Sequence, residues 1–366
     1  MTHPSSAAGW PDTRLQALLG IALPLVQAPM AGPNDHALAA AAASAGALGS
    51  LPCAMLSPEQ IRAEVQRFRE LAPSRPLNLN FFCHRNPLPD AARDAAWREA
   101  LAPYYRELGL DPAMPLPAAT RRPFDGQTCA LVEELRPEVV SFHFGLPEPA
   151  LLARVKASGA KVLSSATTVD EARWLAAQGV DAIIAQGLEA GGHRGVFLSD
   201  DIATQPGLFA LLPQIVAAVE LPVIAAGGIA DGRGMAAALQ LGAAGVQIGT
   251  AYLLAPECKI PAVHRAALQD PAQAERTALT NLFSGRPARG IVNRLMRELG
   301  PLSALAPAFP QASAALAPLR AAAEAQGRSD FTPLWAGQAA ALTQARPAAE
   351  TTRAIAAQAL ALLGGR

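Results

Sequence analysis

Two histidines stand where an apolar run gives way to a polar turn. Gly187-Leu-Glu-Ala-Gly-Gly-His-Arg-Gly195 follows Ala182-Ile-Ile-Ala-Gln186, the pattern of a buried parallel strand opening into a glycine-rich loop. Gly191 and Gly192 carry no Cβ, so backbone there can come close to something bound. His193, in the same turn, has a side chain that titrates near neutrality. His143 closes a second apolar run, Val139-Val-Ser-Phe-His-Phe144. Other run ends carry neutral polar or soft groups: Met30, Asn78 and Asn80, Gln186 and Gln247. Asn78 and Asn80 share one side because strand side chains alternate. Buried amides and imidazoles need partners, and either nearby loop backbone or a planar ligand would supply them.

Carboxylates are scarce around these positions. Glu189 is the one acid near the end of the 182–186 run. No Asp/Glu/His set has metal-ligand spacing and no GxSxG elbow occurs, so no metal is expected and hydrolysis is disfavoured. Two further runs end in Gly227-Gly228 and Gly249-Thr250. Backbone N–H groups at such turns hold phosphate. The combination points to a phosphate-anchored organic cofactor that carries a redox step, with one or two histidines beside it.

What must position these groups is an alternation of short apolar runs and helical patterns. The strand-like runs are residues 24–30, 47–51, 77–82, 139–144, 161–165, 182–186, 222–226 and 245–249. Helical patterns near 35–45, 58–71, 148–157, 169–178, 208–219 and 232–241 separate them. Ser57, Pro58 and Gln60 spell a capping box at one helix start. Eight strands each followed by a helix predict an α/β fold of the (β/α)8 TIM-barrel type. No GxGxxG follows the first strand, which argues against a dinucleotide-binding sheet. In a (β/α)8 barrel the loops after strands seven and eight are the usual phosphate site, and these are the two glycine turns.

Two stretches interrupt the alternation. Residues 84–136 read as a Pro- and Arg-rich excursion with two or three short helices, placed over one end of the barrel. Residues 256–366 read as a helical addition packed on or beside it, with helices near 312–326, 336–345 and 347–363. The expected organisation is therefore a cofactor-binding barrel over 1–255 and a helical segment over 256–366.

Lys+Arg and Asp+Glu are equal at 30 each, which disfavours a nucleic-acid partner. Pro, Gly and charge break the apolar runs too often for a membrane span. No secretory signal is visible at the start. Cys53, Cys83, Cys129 and Cys258 are widely spaced and are expected to be reduced structural thiols of a cytoplasmic protein. Cys83, at a strand end, is the one weighed as a nucleophile, and burial is the favoured reading. His36, His84 and His264 are expected on the surface, and His3 in a disordered terminus.

Four motifs, Gln27-Ala-Pro-Met-Ala-Gly32, Asn78-Leu-Asn-Phe-Phe82, Ser141-Phe-His-Phe-Gly-Leu-Pro147 and Glu189-Ala-Gly-Gly-His-Arg-Gly195, together resemble the class I nitronate monooxygenases, formerly 2-nitropropane dioxygenases. The similarity continues through Ala225–Ile229, Gln247–Thr250, Phe283–Arg289 and Pro333–Gln338. It implies a TIM barrel with non-covalent FMN. It implies oxidation by O2 of alkyl nitronates, such as propionate 3-nitronate, to a carbonyl compound and nitrite. By resemblance, Met30, Asn80, Gln186, Gly191, Gly192, Gly227, Gly228, Gln247, Gly249 and Thr250 would hold FMN. His193 would be catalytic and His143 would line the substrate pocket. The family's pocket is partly tyrosine-lined, whereas this chain has only Tyr104, Tyr105 and Tyr252, and the first two could reach over it from the excursion. The alternatives on the same barrel are a flavin-dependent enoyl-acyl-carrier-protein reductase, an NAD(P)H:quinone reductase, or a flavin-binding protein without turnover. A small-molecule nitronate and O2 are the expected partners; monomer and homodimer both stay open.

Overall fold

The computed structural model describes residues 9–117 and 121–364. Its barrel strands are β1 (Leu25–Gln27), β2 (Gly49–Pro52), β3 (Leu77–Phe82), β4 (Val139–His143), β5 (Lys161–Ala166), β6 (Ala182–Gln186), β8 (Val223–Ala226) and β9 (Gly245–Ile248), with β7 (Gly192–His193) lying outside that sheet. They pair in parallel in the order β1-β9-β8-β6-β5-β4-β3-β2. The Val26–Leu48 bridge, with Leu48 N donating to Leu25 O at 2.9 Å, closes the ring. The fold is a TIM barrel. In this ring β3 stands opposite β8, a relation that matters at the mouth.

Strand interiors read as continuous apolar runs because both faces are buried. Leu15, Val26, Leu48, Leu163, Ile184 and Ile224 fill the lower interior, and the short helix Arg14–Leu19 closes that end. The outward faces pack against the surrounding helices in one large core. Helix starts carry the caps their sequences encode. Ser57 and Gln60 form the reciprocal capping box, and Asp35, Asp125, Thr168 and Asp231 each accept from a first-turn amide.

The excursion contains the helices Ala91–Glu107 and Gly126–Leu135 among the described residues. The first is longer than the sequence suggests, continuing through Pro103. It does not sit alone. Trp97, Leu101, Tyr104 and Tyr105 share a second core with Leu282, Leu295, Leu316 and Phe331. Trp97 Nε1 donates to Ala312 O at 3.3 Å and the Tyr105 hydroxyl donates to Ala315 O at 2.6 Å. The excursion and the C-terminal residues thus build one structure over the barrel mouth.

The C-terminal residues are not all helical. Helices Ala312–Ala325 and Ala348–Gly364 form where expected, but residues 336–345 hold only a single 3-10 turn, Ala340–Leu342. The segment there runs along the pocket, where Gly337 N donates to the Thr250 hydroxyl oxygen at 3.0 Å. Two strands absent from the sequence reading, β10 (Thr277–Thr280) and β11 (Ala288–Ile291), pair antiparallel. β11 also pairs with β7, setting Ala288 opposite His193. The loop that carries the key histidine is therefore held from above by the C-terminal segment.

Candidate active site

The loop Gly187–Gly195 is fastened by three side chains. Arg194 is fully buried; its guanidinium donates to Gln205 Oε1 at 2.8 Å, Gly187 O at 2.6 Å and Gln186 O at 2.8 Å. Burial, with Arg289 nearby, lowers its pKa to about 10, so it stays a cation at neutral pH. Gln186 clamps the loop from inside: its Nε2 donates to His193 O at 3.0 Å and its Oε1 accepts from Gly195 N at 2.8 Å. Both ends of that amide are used by protein, although Gln186 also lines the pocket. Glu189 turns away from the site. Its carboxylate accepts from Leu208 N at 2.8 Å, at the start of the helix Leu208–Ala218, where a negative charge is favourable.

His143 is the third fastener. Its Nε2 lies 3.1 Å from His193 O and its Nδ1 3.0 Å from Ser165 Oγ. A carbonyl only accepts, so Nε2 carries the hydrogen and Nδ1 accepts from the serine hydroxyl. The ring is neutral: burial pulls its pKa down to about 4. His143 holds the backbone of residue 193 in place with both of its nitrogens committed.

His193 is differently placed. Its Nε2 lies 2.8 Å from Ser284 Oγ, while Nδ1 has no hydrogen-bond partner among the described residues. Burial drives its pKa well below the usual range, and Arg121, His143 and Arg286 add to the effect; the imidazole is neutral. Aromatic rings wall it in. Phe82, Phe144, Phe309 and Trp335 lie with ring centres 5.4–6.3 Å away. Phe144 adopts φ +70°, a conformation costing about 1 kcal/mol or more for a bulky residue, and Arg286 stacks on its ring at 4.2 Å.

The other end of the same pocket is built of backbone. Met30, Asn80, Gln186, Gly191, Gly192, Gly227, Gly228, Gln247, Gly249 and Thr250 line it together with His143 and His193. All the residues expected to hold the cofactor, and both histidines, therefore meet in one cavity. Gly227 and Gly228 have φ of +111° and +70°, which L side chains resist. At Gly191 a Cβ would stand 2.5 Å from Gly337 N, so only glycine fits. Among the described residues the amides of Gly228 and Thr250 have no acceptor. Gln247 Oε1 is buried with no partner. Asn80 spends its Nδ2 on Ser141, at 2.9 Å from Oγ, and keeps Oδ1 free. Orphaned donors at one end and orphaned amide acceptors midway fit a ligand with an anionic tail and a polar ring.

Some expectations fail here. His84 and His264 are buried at 4% and 3% exposure, not on the surface; His84 packs edge-on against Phe309 at 4.8 Å. His36 is half-buried and pairs with Glu64 at 2.8 Å. His3 lies outside the described residues. Tyr104 and Tyr105 do not reach the pocket: they belong to the second core. Asn78 points into the barrel, 3.0 Å from Ser50 Oγ, and is not a lining residue. Burial raises the Cys83 thiol well above its usual range, which disfavours a nucleophile. Asp35, His36 and Glu64 do converge, with ligand atoms within 4.8 Å, but Lys259 already pairs with Asp35. The sequence reading missed Ser284, Arg121, Phe309 and Trp335. Ser284 lies inside the Phe283–Arg289 motif, but its role depends on a contact across 91 positions.

Comparison with known proteins agrees with this architecture. The family model described as nitronate monooxygenase matches residues 12–357. A nitronate monooxygenase of Pseudomonas aeruginosa is 45% identical over 345 residues, 93% of this chain and 97% of that protein. One of Paraburkholderia phytofirmans is 45% identical over 339 residues, covering 92% of each. Among solved structures, nitroalkane oxidase from Streptomyces ansochromogenes superposes with a TM-score of 0.84 at 39% identity, covering 94% of this chain and 98% of that one. FabK from Thermotoga maritima superposes less closely, at 0.70 and 26% identity, covering 94% and 95%. No helix among the described residues is long and apolar enough to cross a membrane. With one cavity uniting the expected histidines, glycine turns and amides, and relatives aligned over nearly its whole length, the chain belongs to the nitronate monooxygenase family of oxidoreductases.

Proposed function

We propose that this enzyme oxidises alkyl nitronates with O2, with FMN as its cofactor, releasing a carbonyl compound and nitrite. The observation that carries the reading is the free Nδ1 of His193, set in the same cavity as the unsatisfied amides of the phosphate-type turns. FMN supplies the electron acceptor when bound. Its phosphate would be held by the amides at Gly228 and Thr250, where Gly227 and Gly249 leave room. Its ring system would lie against Met30, Gly191 and Gly192, with Asn80, Gln186 and Gln247 facing its polar edge.

The chain's own groups do the remaining work. A nitronate is a planar anion whose charge sits on two oxygens. The Ser284 hydroxyl, 2.8 Å from His193 Nε2 and 3.3 Å from Arg286 O, forms its shorter contact with the imidazole. In the rotamer that donates there rather than to Arg286 O, it leaves Nδ1–H as a donor for the nitronate oxygens. A neutral donor suits this task, because it binds the anion without a proton that could return carbon to the neutral nitroalkane. The phenyl and indole walls exclude water and strengthen that single bond. His143 is a positioning residue that keeps His193 in register.

Oxygen uptake and nitrite release with propionate 3-nitronate, measured with and without NADH, test the reading. Turnover without NADH is expected, and it should fall at least 100-fold in His193→Asn with FMN still bound. Full turnover in that variant removes His193 from the mechanism. NADH consumption with an enoyl thioester, and none with nitronates, replaces the function altogether.

A further inference from the structure

Arg121 lines the same cavity as His193. Its guanidinium carbon sits 5.8 Å from the centre of the Phe309 ring. His193 and His84 lie 5.4 and 4.8 Å from that same ring, so Phe309 is the hub of a small cationic and donor cluster. The other arginine at this wall is committed: Arg286 donates to Val196 O at 2.7 Å and faces Asp200 at 3.8 Å. Arg121 has no carboxylate within 4 Å among the described residues, and the residues outside that set contain no Asp or Glu. The charged group nearest in influence is another cation, Arg320. A half-buried guanidinium facing apolar rings and lacking a counter-ion is costly unless something brings one.

Its position says which anion that is. The bridge between Pro123 and Phe82 ties residues 121–123 to the end of β3. β3 is opposite β8 in the ring, and the glycine turns follow β8 and β9. Arg121 is therefore across the mouth from the phosphate end, on the substrate side of His193. The nitronate charge has its own partner in His193. What remains for Arg121 is a second negative charge, at the far end of the substrate.

We propose that Arg121 is a specificity-determining residue that ion-pairs with a carboxylate on the substrate tail, so that carboxylated nitronates are preferred over plain alkyl ones. This rests on the nitronate reading above. The test pairs two nitronates that differ in the tail, propionate 3-nitronate and propyl-1-nitronate, in holoenzyme carrying Arg121 or Arg121→Met. Arg121→Met should lower kcat/KM for the carboxylated substrate about 10- to 100-fold, mainly through KM, the loss of one charge-assisted pair. For propyl-1-nitronate the change should stay below about 3-fold, and Arg121→Lys should restore part of the preference. Equal loss on both substrates, or none on either, overturns the assignment.

A binding measurement separates this from the function itself. Succinate and butyrate are unreactive counterparts of the two substrates, and calorimetry gives their affinities directly. If neither nitronate turns over but succinate still binds more tightly than butyrate only when Arg121 is present, the oxidation is wrong and the carboxylate site stands. No turnover and no preference for succinate overturns both.

Discussion

Arg194→Met removes the most heavily used side chain of the catalytic loop while keeping much of its alkyl volume. The wild-type guanidinium makes three hydrogen bonds at 2.6–2.8 Å, to two carbonyls and an amide oxygen, with the side chain fully buried. Bonds to a charged group contribute about 1.5 kcal/mol each at the lower end, so the gross loss is about 4–5 kcal/mol. Removing a cation that burial already disfavours offsets part of it, leaving about 3 kcal/mol. For a chain of 366 residues that lowers the melting temperature by about 4 °C. Circular dichroism melts at pH 7 read the shift, and absorbance of the proposed FMN would read the loop, because Gly191 and Gly192 sit between the anchors. Arg194→Lys should fall between the two, since an ammonium cannot reach all three acceptors. A melting point for Arg194→Met within about 1 °C of wild type would refute the claim that this guanidinium holds the loop.

Three other expectations follow from the same geometry. His84, His143 and His264 are each held down to about 4 by burial, and burial also holds His193 well below its usual range. In the unfolded chain these rings take up protons near pH 6.5, so stability is full above that pH and is lost as pH falls toward 4. Four such groups give a slope of up to about 5 kcal/mol per pH unit; a melting temperature that is flat from pH 7 to pH 5 contradicts it. Gly191→Ala drives a methyl to 2.5 Å from Gly337 N and 2.6 Å from Ala336 C, both backbone. It should cost about 1–3 kcal/mol and weaken binding of the proposed FMN in a fluorescence titration, and unchanged binding would show that the segment 336–337 yields. Ser284→Ala deprives His193 Nε2 of its partner and should lower kcat/KM on nitronates about 10-fold with FMN content unchanged. Wild-type kinetics in that variant would mean that the ring needs no orienting hydroxyl.

The barrel was legible because its signals are local. β3 and β6 were located to the residue, since each is a short strand-like run bounded by turn residues. The capping box at Ser57 was equally plain. Burial decided by distant chain was not legible. His84 and His264 look like surface residues until the excursion and the C-terminal segment close over them. β7 is two residues long, and β11, its partner, begins 95 positions later by number, at Ala288; no periodicity survives at that length. The alanine-rich character of 336–345 suggested helix, yet the stretch is stretched along the pocket because Gly337 must pass within reach of Thr250 and Gly191. The site residues were readable by type and by position at strand ends. Their division of labour was not: that Gln186 and His143 fasten a loop while His193 keeps a free nitrogen depends on side-chain contacts.

The pairing of β7 with β11 has a consequence for synthesis. All eight staves of the barrel are synthesised by residue 248, when Ser284, Ala288 and Gly337 are still unmade. The helix Ala348–Gly364, which packs against Gly232–Gln240 and His36–Ser44, is unmade as well, so the mooring of the imidazole and the last part of the barrel's outer cover both arrive with the final quarter of translation. Premature termination before that point would leave both the rim slack and the apolar faces of Gly232–Gln240 and His36–Ser44 uncovered.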